Sequence, residues 1–275
     1  MTGTILDKII ERKRERLIRL KNEVSLDVMI ARARTQRDSA NPHFLRRALS
    51  SHPRDTQASS LRSDAVNIIA EIKRASPSKG IINDRIDVAA VARDYATSGA
   101  TAISVLTEED FFQGSLDDLR VVRTAVDLPV LRKDFTIDEY QIHEAAASGA
   151  DAVLLIAAAL NENDLGRFRS ISEDELSMDA IVEVHSADEL EVAKRIGAKI
   201  IGVNNRNLKT FDVSLDVARE LILERPADAL IIAESGLSTR DEIEELRGLG
   251  FDGFLIGETL MRQPQMLTAL AGGVV

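Results

Sequence analysis

The chain has no cysteine and no tryptophan, and only 4% of its 275 residues are aromatic. Without cysteine there are neither disulfides nor thiolate chemistry, so any catalysis must rely on other acids, bases and nucleophiles. No apolar run reaches the ~20 residues that span a bilayer, and the first residues lead into a charged segment rather than a signal-peptide core. These absences predict a soluble, cytoplasmic protein that does not bind membranes.

An excess of positive charge is also missing, because the formal net charge is −10 at pH 7. This argues against general nucleic-acid binding. Between residues 9 and 17 basic and acidic side chains alternate at helical spacing, which indicates a solvated helix face with ion pairs rather than a nucleic-acid surface. A protein this acidic needs local lysines and backbone amides to bind an anionic metabolite.

Apolar strand-like runs alternate with amphipathic helical stretches from about Val66 onward, in eight rounds. Each run is nearly continuous in aliphatic residues, as expected for strands buried on both faces. Such alternation leaves a doubly wound open sheet or a closed barrel, and eight units with polar residues at most strand ends favour an α/β fold of the (β/α)8 TIM barrel class. The predicted strands are residues 66–73, 101–107, 129–134, 152–157, 180–185, 200–204, 230–234 and 253–257.

Glycine follows several of the predicted helices at the position where a left-handed cap is needed. The examples are Gly99, Gly149, Gly197 and Gly250. The helices themselves are predicted over residues 87–98, 116–126, 138–148, 187–196 and 239–249.

The first 60 residues are predicted to form an N-terminal helical extension and linker, with the barrel over 61–275 as one functional domain. Helices are predicted at 5–21 and 44–49, followed by a polar linker at 50–63. Apolar residues such as Ile5, Leu6 and Ile9 need a surface to cover. We expect the extension to pack over the active-site end of the barrel; the alternative is a plug at the amino-terminal end.

Ionisable side chains stand where several predicted strands end. Since an unpaired buried charge is costly, such groups indicate chemistry more than stability. In a barrel of this class the carboxyl ends of the strands build the active site. The alternative, a set of salt bridges that only closes the barrel, is weaker because buried ion pairs are poor stabilisers. The strand ends carry Glu71, Lys73, Lys133, Glu183, Asn204, Arg206, Glu234 and Ser235.

Eight short motifs spread over almost the whole chain resemble the indole-3-glycerol-phosphate synthase family of tryptophan biosynthesis. Any one of them is weak evidence, but seven stand in order at the ends of predicted strands. The motifs are ILDKI at 5–9, EIKRASPSKG at 71–80, SVLTE at 104–108, LRKDF at 131–135, VEVH at 182–185, NNRNL at 204–208, ESG at 234–236 and IGETLM at 256–261.

The resemblance implies ring closure of 1-(2-carboxyphenylamino)-1-deoxyribulose 5-phosphate, with loss of carbon dioxide and water, by a carboxy-lyase. It implies Lys133 as the acid for ring closure and Glu183 as the base for dehydration, with Lys73 assisting. A desolvated lysine among carboxylates suits the acid role. By the same resemblance Glu71, Asn204 and Glu234 position these groups and bind sugar hydroxyls. We expect no metal and no organic cofactor.

The resemblance also implies the residues that bind the two ends of the substrate. The phosphate is expected on backbone N–H groups after the last two strands, with Ser76 and Lys73 closing over it from the first loop. Glu258 is expected to contribute its backbone N–H with the side chain turned away, because a carboxylate cannot donate to phosphate. The expected phosphate-binding residues are Ser235, Gly236, Gly257, Glu258 and Thr259; Phe112, Phe135 and Leu208 are expected to line an aromatic slot, and Arg206 to bind substrate.

Two other functions remain open from the residues alone. A phosphoribosylanthranilate isomerase would be expected to use a cysteine and aspartate pair, and this chain has no cysteine. A catalytically silent barrel would be expected to lack Lys133, Glu183 or Lys73. His185 is interpreted as a hydrogen-bonded structural residue, since no second inward histidine stands at metal-ligand spacing. His43, His52 and His143 are expected at the surface, and the chain is expected to be a monomer.

Overall fold

Eight parallel strands close into a barrel in the computed structural model, which describes residues 4–51, 65–208 and 210–272. Each strand is hydrogen-bonded to the next in chain order, and Ile68 on the first strand is paired with Phe254 on the last. The predicted (β/α)8 barrel is therefore confirmed. The strands are β1 (Ile68–Ile72), β2 (Ala102–Leu106), β3 (Val130–Lys133), β4 (Ala152–Ile156), β5 (Asp179–Val184), β6 (Ile200–Asn204), β7 (Leu230–Glu234) and β8 (Gly253–Ile256).

Helices surround the barrel, and three more precede it. A small hairpin, Ala75–Ser76 with Gly80–Ile81, lies in the loop after β1. The helices are α1 (Ile5–Glu23), α2 (Leu26–Arg37), α3 (Phe44–Ser50), α4 (Val88–Thr97), α5 (Leu116–Ala125), α6 (Glu139–Ala147), α7 (Glu162–Ser170), α8 (Ala187–Arg195), α9 (Asp216–Leu221), α10 (Arg240–Leu249), α11 (Glu258–Arg262) and α12 (Met266–Ala271). No helix within these described ranges is long and apolar enough to cross a membrane.

The strands bury apolar side chains on both faces. On β1, Ile68, Ala70 and Ile72 pack against the helices, while Ile69 points into the barrel. Successive side chains of a strand alternate between faces, so Glu71 shares the inward face with Ile69. On the other strands, too, the side chain two positions after an inward residue is again inward. The inward residues concerned are Leu131, Ile181, Ile200, Ile232 and Leu255. This alternation points the last inward residue of each strand towards the mouth of the barrel.

The N-terminal extension covers both ends of the barrel. Leu45 and Leu49 of α3 belong to the apolar cluster inside the barrel, and Asn67, just before β1, donates a 2.8 Å hydrogen bond to the Leu49 carbonyl. Helix α3 therefore plugs the amino-terminal end, whereas α1 lies at the mouth. The predicted linker at 50–63 falls almost entirely outside the described residues, apart from its first two residues.

Helix α2 was not predicted from the sequence. Its apolar face is narrow, and Met29 packs with Leu17 of α1 and Tyr140 of α6. The signal that was missed is Ser25, whose hydroxyl accepts a hydrogen bond from the Val28 N–H and caps the helix. Because α2 packs against α6, His143 is buried, and the expectation that it lies at the surface is wrong. His43 is half-buried at the start of α3, and His52 lies outside the described residues.

The four glycine caps are confirmed. The φ angles of Gly99, Gly149, Gly197 and Gly250 are 95°, 89°, 70° and 117°, all in the left-handed region. A β-carbon at Gly197 would meet nothing within 4 Å, so its backbone conformation alone opposes substitution. Gly248, within α10, has the same open surroundings but a helical backbone.

These two glycines give a matched pair. We expect Gly197→Ala to lower the free energy of unfolding by about 1 kcal/mol, because a β-carbon is strained in the left-handed region. Gly248→Ala should raise it by roughly 0.5 kcal/mol, because alanine favours a helix. Urea unfolding followed by circular dichroism measures both, and equal effects of the two substitutions would contradict the backbone argument.

Candidate active site at the barrel mouth

A cavity of about 890 Å³ opens at the carboxyl ends of the strands. All the residues predicted from the sequence as catalytic or substrate-binding line it, although they come from seven of the eight strands and the loops that follow. The closed barrel is what brings them together. They are Glu71, Lys73, Ser76, Phe112, Lys133, Phe135, Glu183, Asn204, Arg206, Leu208, Glu234, Ser235, Gly236, Gly257, Glu258 and Thr259.

The Lys133 ammonium lies between two buried carboxylates. Its Nζ is 3.2 Å from Oε2 of Glu183 and 3.5 Å from Oε2 of Glu234. Burial alone would lower the pKa of Lys133, but the negative charges of Glu183, Glu234 and Glu71 outweigh it and raise the pKa above its ordinary value. Lys133 therefore enters a reaction as a charged proton donor.

The two carboxylates differ in protonation. Burial opposes ionisation of Glu183, yet Lys133, His185 and a hydrogen bond from Asn204 together hold the pKa of Glu183 well below its ordinary value. Burial raises the pKa of Glu234 to about 8, and Lys133 only partly offsets this effect. Near neutral pH the site thus holds one ionised and one protonated carboxyl group, the arrangement that separates base and acid roles.

A second ion pair lies beside the first. Nζ of Lys73 is 2.8 Å from Oε1 of Glu71. Two glycines, Gly202 on β6 and Gly257 just after β8, leave the space that the Glu234 and Glu71 carboxyl groups occupy. A β-carbon at Gly202 would overlap Oε1 of Glu234, and one at Gly257 would overlap Oε1 of Glu71 and lie 2.9 Å from Nζ of Lys73.

The turns after β7 and β8 form one side of the mouth. Ser235 and Gly236 both have left-handed backbones, with φ of 67° and 80°, so the chain turns sharply where β7 ends. The Thr259 hydroxyl donates a 2.9 Å hydrogen bond to the Leu237 carbonyl and links the two turns. The Glu258 carboxylate lies 3.3 Å from Nε of Arg262 and 3.8 Å from Nζ of Lys79, so cations surround the side chain that the sequence left in doubt.

The opposite side of the mouth is apolar. The rings of Phe112 and Phe135 are tilted by 39°, with centroids 6.1 Å apart. Leu208 belongs to the same apolar cluster as Phe135. Arg206 joins two loops above the mouth, because its Nη1 donates to Oγ of Ser78 at 3.4 Å and to the Phe211 carbonyl at 3.3 Å.

The sequence analysis missed a buried ion pair between α1 and the end of β3. Nζ of Lys13 lies 2.7 Å from Oδ1 of Asp134, and both side chains are at most 5% exposed. Oδ1 of Asp134 also accepts the Phe135 N–H at 2.8 Å. The signal was available, because Lys13 stands four residues from Ile9 and from Leu17, on the apolar face of α1.

Helix α1 forms part of the wall of the cavity. Ile5, Leu6 and Ile9 line the mouth, so the expectation that the extension packs over the active-site end is confirmed for α1. The alternative, a plug at the amino-terminal end, is also correct for α3. The extension therefore performs both tasks with different helices.

The fold and the mouth together define a class of protein. A (β/α)8 barrel with two lysines, three carboxylates, an apolar slot and two sharp turns at its carboxyl end belongs to the TIM-barrel enzymes that perform acid–base chemistry on small molecules. More narrowly, the chain belongs to the indole-3-glycerol phosphate synthase family, whose model matches residues 6–271.

Individual relatives agree with this membership. The indole-3-glycerol phosphate synthase of Carboxydothermus hydrogenoformans is 44% identical over 269 residues, which cover 96% of this chain and 97% of that protein. The protein of the same name from Laribacter hongkongensis is 51% identical over 205 residues, covering 74% of this chain and 78% of that protein.

Solved structures with little sequence similarity share the fold alone. An N-acetylmannosamine-6-phosphate 2-epimerase from Clostridium perfringens superimposes with a TM-score of 0.58 at 14% identity, covering 78% of this chain and 96% of that chain. A thiamine phosphate pyrophosphorylase from Pyrococcus furiosus gives a TM-score of 0.55 at 18% identity, covering 78% and 95%.

The close approach at Gly257 predicts a defect specific to the mouth. We expect Gly257→Ala to lower kcat/KM by about 10²-fold, because displacing catalytic groups by about 1 Å has effects of that size. Gly248→Ala is the matched control, since its β-carbon meets open space. Steady-state kinetics on folded variants measures the difference, and wild-type kinetics for Gly257→Ala would show that the Glu71 and Lys73 pair tolerates displacement.

Proposed function

We propose that the residues of the mouth convert 1-(2-carboxyphenylamino)-1-deoxyribulose 5-phosphate into indole-3-glycerol phosphate, with Lys133 as the proton donor. The class of reaction, a decarboxylating ring closure by a carboxy-lyase of tryptophan biosynthesis, follows from membership of the family. The observation that carries the assignment of Lys133 is its charged Nζ between Glu183 and Glu234. The alternatives of an isomerase and of a silent barrel are set aside.

Ring closure needs a proton at the carbonyl oxygen of the ribulose chain. The aromatic carbon that carries the carboxylate attacks the carbonyl carbon, a carbon–carbon bond forms, and the carbonyl oxygen becomes a hydroxyl by taking a proton from Nζ of Lys133. Carbon dioxide then leaves, and its bonding electrons restore the aromatic ring. The Phe112 and Phe135 rings, which line the same cavity as Lys133, suit the aromatic part of the substrate.

Dehydration follows at the new hydroxyl. Glu183 takes a proton from the methylene carbon that lies between the nitrogen and the carbon carrying the hydroxyl. The hydroxyl leaves as water with a proton from Lys73, so that the indole double bond forms between these two carbons. The low pKa of Glu183 keeps it ionised and ready to accept that proton. We assign Glu71, Asn204 and Glu234 to positioning these groups and binding sugar hydroxyls, because all three lie in or beside the two ion-pair systems.

The phosphate is proposed to bind on the backbone N–H groups of Ser235, Gly236 and residues 257–259. The sharp left-handed turn after β7 supports this location. Ser76 and Arg206 would cover the substrate from the first and sixth loops, since Arg206 already bridges Ser78 and Phe211. The Glu258 side chain stays with its cations, and only its N–H faces the phosphate.

We also propose that the chain works as a cytoplasmic monomer, with residues 1–60 and 61–275 as one functional domain. The contribution of α1 to the cavity wall supports the single domain. The large apolar side chains exposed among the described residues, such as Ile18 and Leu223, are distributed over separate elements rather than gathered in one interface.

Replacing Lys133 tests the assignment directly. Wild-type protein should form the fluorescent indole product from the carboxyphenylamino substrate, and Lys133→Met should lower kcat about 10²- to 10⁴-fold, the usual contribution of a general acid. Product binding should remain. The control is Lys199→Met, which removes a lysine paired with Asp228 at the other end of the barrel. Nearly full kcat in Lys133→Met would remove Lys133 from the mechanism.

The proton on Glu234 predicts an alkaline limit to activity. Its pKa of about 8 means that the group is protonated below that pH and becomes a second anion beside Glu183 above it. We expect kcat to fall as the pH rises through about 8. Glu234→Gln, which keeps a hydrogen-bond donor but cannot ionise, should lack this alkaline limb. The range from about pH 7 to about pH 9 lies between the ordinary pKa values of carboxyl groups and of lysine. A wild-type kcat that stays constant over this range would refute the argument.

A further inference from the structure

His185 contacts the carboxylate of Glu183 from the side opposite Lys133. It follows β5 two residues after Glu183, and its Nε2 lies 3.3 Å from Oε1 of Glu183. Lys133 lies against the other oxygen, Oε2, at 3.2 Å. Nε2 is buried and makes no aligned hydrogen bond to any residue that the structure describes, so Glu183 is the group that it faces.

Glu189, in the first turn of α8, fixes the other side of the imidazole. Its Oε2 is 3.1 Å from Nδ1 of His185 and also accepts the His185 backbone N–H at 2.7 Å. The Glu189 carboxylate therefore binds both the ring and the backbone N–H of His185, which fixes the orientation of the ring. Burial would lower the pKa of His185, but the close negative charges of Glu183 and Glu189 raise it to about 10. The result is a row of alternating charges, Glu189, His185, Glu183 and Lys133.

His185 does not line the mouth cavity. Its route to the reaction is therefore through Glu183 rather than through contact with the substrate. We propose that His185 is a positioning residue that keeps Glu183 oriented and ionised during turnover, a role that rests on the proposed function of Glu183 as the base.

The transfer of a proton from Lys133 explains why Glu183 needs a second cation. When Lys133 donates its proton in ring closure, the ammonium becomes a neutral amine, and Glu183 loses the cation on Oε2. Without another cation the pKa of Glu183 would rise, because its carboxylate is buried. The protonated Glu234 beside Glu183 offers no positive charge. The imidazolium on Oε1 remains, so Glu183 is still an anion when dehydration needs a base.

The charged and titratable groups around this row are few. Lys133 on β3 and Glu234 on β7 face Glu183, Glu71 on β1 contributes charge to both of these, and Glu189 on α8 faces His185. Asn204 on β6 adds a neutral hydrogen bond. A change at His185 should therefore be read out as a change in the titration of Glu183.

The first experiment observes the imidazole directly. The chain has four histidines, so a nitrogen–proton NMR spectrum of the histidine rings has few signals, and the signal that disappears in His185→Gln identifies His185. We expect the wild-type His185 ring to remain doubly protonated at pH 8, whereas His143, whose pKa burial lowers, should be neutral there. A neutral His185 ring at pH 7.5 overturns the proposal.

The second experiment measures kinetics against pH. We expect His185→Gln to lower kcat about tenfold at pH 7.5 with KM within about twofold, as for a group that acts on the chemical step alone. The acidic limb of kcat should move up by about one pH unit, because removal of a cation within 4–6 Å typically raises a carboxyl pKa by ~1 or more. Glu189→Gln should also lower kcat and move its acidic limb to higher pH, but by smaller amounts.

Controls separate this proposal from other failures. His143→Gln removes a buried imidazole that does not line the mouth cavity, and it should leave kcat and its pH profile unchanged. If His185→Gln does not fold, Glu189→Gln still decides the matter, and an acidic limb of kcat that is unchanged in this variant overturns the proposal. Wild-type protein that forms no product contradicts the proposed function itself, whereas an active wild type with an unaltered pH profile in His185→Gln contradicts only the role of His185.

Discussion

The partial burial of the Lys133 ammonium at the barrel mouth is the constraint on which the rest of the site depends. A charge removed from water must be paired and hydrogen-bonded, and Glu183 and Glu234 meet this need from two other strands. Glu71, Glu183 and Glu234 are then close enough for their negative charges to repel each other. This repulsion is reduced because Lys73 pairs with Glu71, His185 pairs with Glu183, and Glu234 keeps its proton. The protonation states useful for acid–base chemistry thus result from the requirement for charge balance.

The N-terminal extension takes part in the same electrostatic arrangement. Helix α1 forms one wall of the mouth and reduces access of water, which strengthens every charge interaction inside. Its Lys13 reaches Asp134, the residue that follows Lys133 and that holds the Phe135 N–H. The backbone carrying the proposed acid and the aromatic slot is therefore fixed from outside the barrel. Helix α3 fills the opposite end by apolar packing of Leu45 and Leu49.

Much of the site was predictable because strand alternation is local. Once residues 66–73 are taken as a strand, Glu71 must share a face with Ile69, and the same argument holds for Lys133 after Leu131 and Glu183 after Ile181. Glycine caps such as Gly197 were predictable for the same reason, since a left-handed backbone is a property of one residue. Helix α2 and the burial of His143 were missed because both depend on packing between α2 and α6, which no local pattern records.

The amino-acid sequence by itself determined the eight strand and helix units, their inward faces and the family to which the chain belongs. Only the tertiary structure decided which charges are partners. Closure of the barrel brings residues from β3, β5 and β7 within hydrogen-bonding distance, and it places Lys13 beside Asp134 across more than a hundred residues of chain. Pairing energies depend on distance and burial, and neither quantity is present in the sequence until the chain has folded.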